Sequence, residues 1–582
     1  MKWLDGASCD RRLRLYWFLI FVVALGAFGL RAPRLRMRPM HTDEAVHADK
    51  FRILLEDGVY EYDPDEYHGP TLNYATLIAA HLGSADTYAK TTEVTLRIVP
   101  VVFGTVLVLL IAGLASGLGF AAVVAAVLAA LSPAMVFYSR YYIQEMLLAC
   151  FTLGVIVCGY RYVRTRSLLW AVFAGGFAGL MHATKETAII AFGSMGLALA
   201  LVILLPSGEG RSVRRTLAGV NWLHILLGVL AAVVVSALLF SVFFKRPAGI
   251  LDSYRTYAMY FSRAGGQDTA HVHPWHYYLQ ILLYARYFHG PIWTEAWIVL
   301  PAVIGLVAAV RGTRIGSMDP RLVRFVAIYT IAMIVVYSAL PYKTPWCLLS
   351  FLTGLIVLAG VGVAALRAWM TRPVLRGIVA VLVAVAAVHL GRLAYRANFV
   401  CYADSRNPYV YAHPTEEIFV AVDILRDYAR VTGLGHSVQK RLQIAVPGAD
   451  YWPLPWYLRD LPHVQCTSEV PGEVGPLIVV SDALEGMLVR RVYEETPVEQ
   501  RRMYMFLFDK PGYIWARPGM KLVGFVRNDL WEEYAASSQP DPNELIERRQ
   551  SWRSMPSPEQ VREFLEGLYG RQTSATGDAV RP

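Results

Sequence analysis

Long apolar runs, separated by short basic or polar segments, occupy the first two thirds of the chain. A run of about 15–22 apolar residues is long enough for a helix to cross the hydrocarbon layer of a bilayer. The pattern therefore predicts about eleven transmembrane helices, and a shorter apolar stretch at His276–Tyr287 indicates an interfacial or re-entrant segment. The predicted spans are Leu15–Leu30, Ile98–Ser116, Phe120–Phe137, Glu145–Tyr160, Leu168–Met181, Ala188–Leu205, Leu223–Phe244, Trp293–Val310, Phe325–Leu340, Cys347–Leu366 and Gly377–Leu390.

The pattern changes near residue 398, where apolar runs shorten to the length of strands and alternate with helical patterns such as Thr415–Arg430. It predicts a transmembrane domain over residues 1–397 and an α/β domain over residues 398–535. Residues 536–582 are expected to form a helical and disordered tail, with a capping-box start for a helix at Ser557–Leu568. The predicted strands are Leu442–Val446, Leu477–Val480, Tyr504–Phe508 and Lys521–Val526.

The arginines indicate how the spans are oriented. With a cytoplasmic N-terminus, every predicted inner loop long enough to hold charges is basic, as the positive-inside bias requires. An odd number of spans then places the α/β domain outside the cytoplasm. The exception is the group Arg31, Arg34, Arg36 and Arg38 at the start of the first outer loop, residues 31–96. Either the first span is misplaced, or these arginines bind an anionic headgroup or pyrophosphate there.

Composition agrees with a multi-pass protein of the cell membrane. The 582 residues are 55% hydrophobic and 17% charged, whereas soluble domains carry roughly a quarter charged residues. The net charge of +10 reflects the arginines of the predicted inner loops, as is usual in a membrane protein, so no nucleic-acid partner is expected. Ionisable residues are nearly absent from the middles of the spans, which argues against an ion- or proton-coupled transporter. Cys401 and Cys466 could form one disulfide in an extracytoplasmic domain.

A polar, acidic stretch follows the first predicted span. Residues 41–53 read HTDEAVHADKFRI, in which Asp43 and Glu44 are adjacent and His41 is close by. An acidic cluster just outside a membrane span lies where chemistry on a lipid-borne substrate would take place. A simpler interpretation is also open, in which Thr42 or Asp43 caps the helix that follows.

Three further outer segments carry charged side chains near the ends of spans. Arg140 and Glu145 lie in SRYYIQE, for which interfacial anchoring by the tyrosines is the alternative. In HATKET, His182 and Lys185 share a helix face if the helix is continuous, and a local ion pair is the alternative account. Lys343 lies in the stiff turn PYKTPW, where it would either bind a phosphate or extend toward the membrane interface.

A DxD pattern in the first outer loop is the candidate for a divalent metal. Asp63 and Asp65 have the oxygen ligands that such an ion needs, although short acidic loops are more often simply solvated. The sequence contains no zinc-ligand spacing and gives no certain cofactor.

Taken in order, these motifs resemble the GT-C membrane glycosyltransferases, and within them the dolichyl-phosphate-mannose protein mannosyltransferase-like group. The Asp43-Glu44 pair, RYYIQEM at 140–146, TKET at 184–187 and PYKTPW at 341–346 carry the resemblance. Three further motifs look like the branch named for flippase-associated membrane proteins of archaeal-type N-glycosylation. They are YHGPTLNY at 67–74, HPWHYYLQILL at 273–283 and RNPYVYAHP at 406–414.

The resemblance implies a GT-C-like membrane domain and an inverting transfer of a sugar from a polyprenyl-phosphate donor at the outer leaflet. Asp43 would be the general base with Glu44 beside it, Arg140 would contact the donor phosphate, and Lys343 would assist. The acceptor would be a glycan, lipid or protein, and the alternative is a non-catalytic or flippase-associated protein that handles lipid-linked oligosaccharide. The substrate-binding candidates are Arg140, Glu145, His182, Lys185, Lys343, His41 and His68.

Overall fold

The computed structural model describes residues 2–64, 68–204, 219–264, 271–312, 315–509 and 511–537. Two compact units can be distinguished. The first contains residues 1–35, 51–86 and 91–402, and the second contains residues 36–50, 87–90 and 403–582. The predicted helix Ser557–Leu568 and most of the predicted tail lie outside the described residues.

The first unit is a helix bundle. Within the described part of the chain, seven helices are long and apolar enough to cross a membrane, and four shorter apolar helices accompany them. Each of these eleven overlaps a predicted span, so the mostly helical membrane fold is confirmed, while the number that cross stays a prediction. The helices of the chain up to residue 399 are α1 Lys2–Arg31, α2 Thr42–Asp57, α3 Thr71–Leu82, α4 Glu93–Leu110, α5 Ala115–Leu118, α6 Phe120–Leu131, α7 Pro133–Tyr138, α8 Glu145–Thr165, α9 Leu168–His182, α10 Ala188–Leu204, α11 Trp222–Phe240, α12 Ala248–Ala264, α13 Tyr277–Leu283, α14 Ala296–Val310, α15 Pro320–Ala339, α16 Leu349–Trp369 and α17 Pro373–Phe399.

Helix α16 forms the centre of the bundle. It is buried from Leu349 to Ala365, apart from Ser350, and packs against α6, α8, α14 and α15. Helices α11 and α17 instead leave most of their apolar side chains exposed, with Leu226 and Val388 at 63% and 74%. Exposed apolar faces of this kind are stable when lipid covers them, as the predicted membrane location requires.

Close approach of backbones joins α9 to α11. A Cβ atom added to Gly175 would lie 1.8 Å from the carbonyl oxygen of Gly228, so only glycine fits there. Small residues that let two helices approach in this way are typical of membrane bundles, because apolar lipid provides no hydrophobic force between helices.

The structure corrects one predicted span. Residues 120–137 form two helices, because α6 ends at Leu131 and Ser132 caps a new helix by accepting the N–H of Met135 at 3.3 Å. Pro133 lacks the N–H that a continuous helix would need and is favoured at a first helical position. The interfacial stretch predicted at 276–287 is the seven-residue helix α13, which is too short to cross a bilayer.

The second unit contains a six-stranded mixed sheet. Strands β1, β2 and β3 are parallel in the order β2-β1-β3, and β6 pairs antiparallel with β3, β4 and β5. The predicted α/β class is confirmed, but β2 and β5 were not predicted, because β2 is a half-exposed polar edge and β5 is a short strand after a Pro-Gly turn. The elements are α18 Glu417–Thr432, β1 Leu442–Ala445, α19 Leu454–Tyr457, β2 Val464–Thr467, β3 Leu477–Ser481, α20 Asp482–Arg490, β4 Tyr504–Phe506, β5 Tyr513–Arg517, β6 Met520–Arg527 and α21 Asn528–Ser537.

The core of this sheet lies between β1, β3 and β6 on one side and α20 on the other. Ile478, Val480, Leu484, Leu488 and Phe525 are among its buried members. Neither Cys401 nor Cys466 forms a disulfide in this structure, so the pairing that the sequence left open is not made.

Candidate active site

The acidic stretch begins helix α2, and His41 is its N-cap. The Asp43 N–H donates to Nδ1 of His41 at 3.0 Å, and the His41 N–H donates to Oε2 of Glu44 at 3.1 Å. This reciprocal pair has the form of a capping box, with histidine in place of the usual serine or threonine. The cap is therefore His41, and the expectation that Thr42 or Asp43 would provide it is wrong.

The two adjacent carboxylates have different environments. Glu44 is fully buried and also accepts a hydrogen bond from the Arg38 guanidinium at 3.3 Å. The Asp43 side chain is 41% exposed, with His41 Nδ1 3.8 Å from its Oδ1. Glu44 therefore holds the start of the helix together, and Asp43 alone of the two is accessible to a substrate.

The His41 ring is held in one tautomer. Since Nδ1 accepts the Asp43 N–H, the proton is on Nε2, which donates to the Tyr411 carbonyl oxygen at 3.0 Å. Burial lowers the pKa of His41, although the Asp43 and Glu44 charges oppose the shift. The imidazole is therefore neutral near pH 7, as an N-cap acceptor must be.

The first unit brings five of the predicted outer segments together. Thr71 of the YHGPTLNY motif donates its N–H to the Ala183 carbonyl at 3.1 Å, and Gly69 approaches so closely that a Cβ atom would lie 2.2 Å from the same oxygen. The Tyr141 ring lies 5.9 Å from that of Trp346. Through these contacts and an antiparallel bridge between Val272 and Tyr342, the YHGPTLNY, SRYYIQE, HATKET, HPWHYYLQILL and PYKTPW segments form one polar cluster.

Glu145 and Lys185 form a buried ion pair at the centre of this cluster. Oε1 of Glu145 accepts from Nζ of Lys185, and the two side chains are only 4% and 9% exposed. The second carboxylate oxygen of Glu145 is buried without a hydrogen-bond partner. An unsatisfied buried carboxylate oxygen is costly unless a ligand or water completes its hydrogen bonding.

A second acid–base pair lies beside the first. Nδ1 of His68 is 2.7 Å from Oε2 of Glu186, and the Tyr62 hydroxyl donates to Oε1 at 3.5 Å. Burial raises the pKa of Glu186, but the charge and hydrogen bond of His68 outweigh it, and the pKa falls below its usual value. His182 does not join this pair, because its Nδ1 contacts Ser236 at 2.6 Å.

Arg140 and Lys343 make contacts with the main chain. Arg140 donates to the carbonyl oxygens of Pro33 at 2.6 Å and Arg34 at 3.3 Å, and its guanidinium carbon lies 4.6 Å from the centre of the Phe399 ring. Lys343 is 1% exposed, and its ammonium donates to the carbonyl of His273 at 3.0 Å. Both cations therefore stabilise loops of the first unit in this structure.

The arginines at the start of the first outer loop also have protein partners. Arg31 is buried and donates to Ser139 Oγ at 3.1 Å and to the carbonyls of Ala129 and Ala130 at 2.9 Å. Arg38 contacts Glu44. Among the described residues, no group of three or more His, Cys, Asp or Glu is arranged to hold a metal ion, and Asp65 of the DxD pattern lies outside them.

The candidate residues divide between the units. Asp43, Glu44 and His41 lie in the second unit, whereas Arg140, Glu145, His182, Lys185, Lys343 and His68 lie in the first. The partners of His41, Tyr411 and His413, were missed as site residues, although the motif RNPYVYAHP that contains them was recognised.

Comparison with known proteins gives a family match over part of the chain and a similar fold over most of it. Residues 76–249 match the model of the dolichyl-phosphate-mannose-protein mannosyltransferases. No curated protein matches the chain significantly. The structure of ArnT from Cupriavidus metallidurans bound to undecaprenyl phosphate superposes with a TM-score of 0.57 at 16% identity, covering 87% of this chain and 98% of that one.

An oligosaccharyltransferase from Archaeoglobus fulgidus in the apo form gives a TM-score of 0.50 at 14% identity, covering 78% of this chain and 64% of that one. At such identities the likeness shows the fold. Together with the family match over residues 76–249, it confirms the predicted resemblance: the chain has the fold of the GT-C membrane glycosyltransferases.

Proposed function

We propose that the protein is a membrane glycosyltransferase that transfers a sugar from a polyprenyl-phosphate donor to an acceptor hydroxyl at the outer leaflet. The match to the mannosyltransferase family supports glycosyltransferase activity in general. The ArnT structure of similar fold was determined with undecaprenyl phosphate bound, which supports a lipid-phosphate donor. The acceptor is a glycan, lipid or protein.

The observation that carries the proposal is the environment of Asp43. Its carboxylate is accessible at the first turn of α2, and its backbone is held by the neutral imidazole of His41. Its neighbour Glu44 is buried and engaged. A general base needs an accessible carboxylate in a fixed position, and Asp43 alone of the pair meets this requirement.

The proposed reaction is a single displacement. Asp43 takes the proton of the acceptor hydroxyl while the oxygen attacks the anomeric carbon from the face opposite the phosphate. The bond between the anomeric carbon and the phosphate oxygen breaks, and polyprenyl phosphate leaves with the electron pair. The configuration at the anomeric carbon inverts, and cationic side chains stabilise the charge that develops on the leaving phosphate.

We further propose that Arg140, Lys185 and Lys343 supply that positive charge, with Glu145, His68 and His182 lining the substrates. Such roles require movement, because Arg140 and Lys343 contact carbonyl oxygens in this structure. His41, which the motifs place among the substrate-binding residues, holds Asp43 instead, because both of its ring nitrogens contact the protein. The protein would lie in the cell membrane with its N-terminus in the cytoplasm and the α/β domain outside.

A donor panel tests the proposal. We expect the purified protein to turn over polyprenyl-phosphate hexoses in the presence of a hydroxyl acceptor and to release polyprenyl phosphate in equal amounts. Nucleotide sugars with the same hexose are the matched control, and we expect the protein not to turn them over. Turnover of nucleotide sugars alone would contradict the proposed donor class.

A further inference from the structure

We infer that the segment Arg406–His413 of the α/β domain positions Asp43 by holding His41. The inference rests on the proposed role of Asp43 as the base. In this account His41, Tyr411 and His413 are positioning residues and do not touch the reacting atoms.

A chain of hydrogen bonds leads from the α/β domain to Asp43. Nδ1 of His413 accepts the Tyr411 N–H at 3.1 Å and lies at the same distance from the Tyr411 carbonyl oxygen, which accepts from Nε2 of His41 at 3.0 Å. Nδ1 of His41 accepts the Asp43 N–H in turn. The rings of His41 and His413 lie 4.8 Å apart, and the two residues are 4% and 2% exposed.

The same stretch is attached at a second point. The main-chain N–H of Met40 donates to the Tyr457 hydroxyl at 2.8 Å, and residues 36–50 belong to the same compact unit as residues 403–582. His41 and Tyr411 are 370 positions apart in the chain. The early acidic stretch is therefore held by the late α/β domain and does not depend only on its own helix.

The segment Arg406–His413 is stabilised by local hydrogen bonds, so it can serve as a rigid support. The Arg406 guanidinium donates to both carboxylate oxygens of Asp404, at 2.6–3.0 Å. Asn407 is buried, and its Oδ1 accepts the Tyr409 N–H at 3.1 Å. A reacting group must be held within about 0.5 Å of its working position, which requires a supporting layer of this kind.

The hydrogen-bond chain from Tyr411 to Asp43 depends on a neutral His41. Protonation of Nδ1 would replace the acceptor for the Asp43 N–H by a donor and break the chain at that point. The charged and titratable groups that face His41 are Asp43 and Glu44 on its own segment, Arg517 on β5 and the ring of His413. Arg517 opposes protonation, and the two carboxylates favour it.

Four variants of the full-length protein separate positioning from helix capping. His41→Asn retains an N-cap acceptor, but its side chain is too short to contact the Tyr411 carbonyl. His41→Gln is long enough for that contact but is a weaker N-cap. His413→Ala releases Tyr411, and His413→Asn keeps an acceptor in the place of Nδ1. We expect His41→Asn and His413→Ala to lower kcat about 10–100-fold with little change in the KM for the donor.

His413→Asn should recover most of kcat, and His436→Ala, an exposed histidine of the same domain, should be unaffected. Amide hydrogen exchange over residues 40–44 should be faster in His413→Ala and normal in His413→Asn. A normal kcat in His41→Asn would show that His41 is only a cap and would overturn the inference. So would unchanged exchange in His413→Ala.

The exchange measurement also separates this inference from the proposed function. If the wild-type protein transfers no sugar from any donor, the proposed function fails, whereas exchange over residues 40–44 still tests whether His413 holds the acidic stretch. Faster exchange in His413→Ala would then show that His413 holds the acidic stretch through Tyr411 and His41. Normal exchange would overturn it.

Discussion

Replacing Asp43 by Asn is expected to lower kcat for sugar transfer by about 10²–10⁴-fold while the protein still folds and binds its donor. Asn has nearly the shape of Asp but cannot take the acceptor proton. Loss of a negative charge from the first turn of α2 costs only about 0.3–1 kcal/mol of helix stability. The effect on chemistry should therefore far exceed the effect on folding, as measured by transfer rate and by melting temperature.

Glu44→Gln is the matched control for this substitution. Gln at the third helical position can still accept the His41 N–H, so the capping box is retained. We expect this variant to lose the charge attraction to Arg38 and to keep most of its activity. Equal loss of kcat in the two variants would mean that the pair acts as a unit, contrary to the distinct environments of the two carboxylates.

Replacing Lys185 by Met is expected to lower the free energy of unfolding of the first unit by about 3–5 kcal/mol. The substitution would leave the Glu145 carboxylate buried without its cation, and one of its oxygens already has no hydrogen-bond partner. The melting temperature of the detergent-solubilised protein measures the loss. A change under about 1 kcal/mol would show that the pair is not buried in the membrane-inserted protein.

The double variant Glu145→Gln with Lys185→Met separates folding from function. Because no uncompensated charge remains, most of the lost stability should return. If the ion pair also binds substrate, this stable protein should still transfer sugar poorly. Recovery of activity together with stability would contradict the proposed substrate-binding role of both residues.

The membrane helices could be predicted from the sequence because apolar runs of sufficient length have few alternative structures. The break at Pro133 was missed, since hydropathy does not register a proline within an apolar run. The strands β1, β3 and β6 were predicted from their buried apolar residues, whereas β2 carries Gln465 and Thr467 on a half-exposed edge and gives no such signal.

For the candidate site, residue chemistry identified the acidic stretch but not what holds it. The contact between His41 and Tyr411 uses a backbone carbonyl, which no side-chain pattern reveals, and it joins positions 370 residues apart. Motif spacing also could not distinguish Asp43 from Glu44. The two carboxylates differ because Arg38 and the start of α2 bury Glu44, and this burial is seen only in the three-dimensional structure.

The configuration of the product tests the central claim, a single displacement from a polyprenyl-phosphate sugar assisted by Asp43. The purified protein would be given a donor of defined anomeric configuration, and the linkage formed would be determined by NMR. We expect the opposite configuration in the product and release of one polyprenyl phosphate for each sugar transferred. Retention of configuration, or transfer without release of polyprenyl phosphate, would contradict the mechanism.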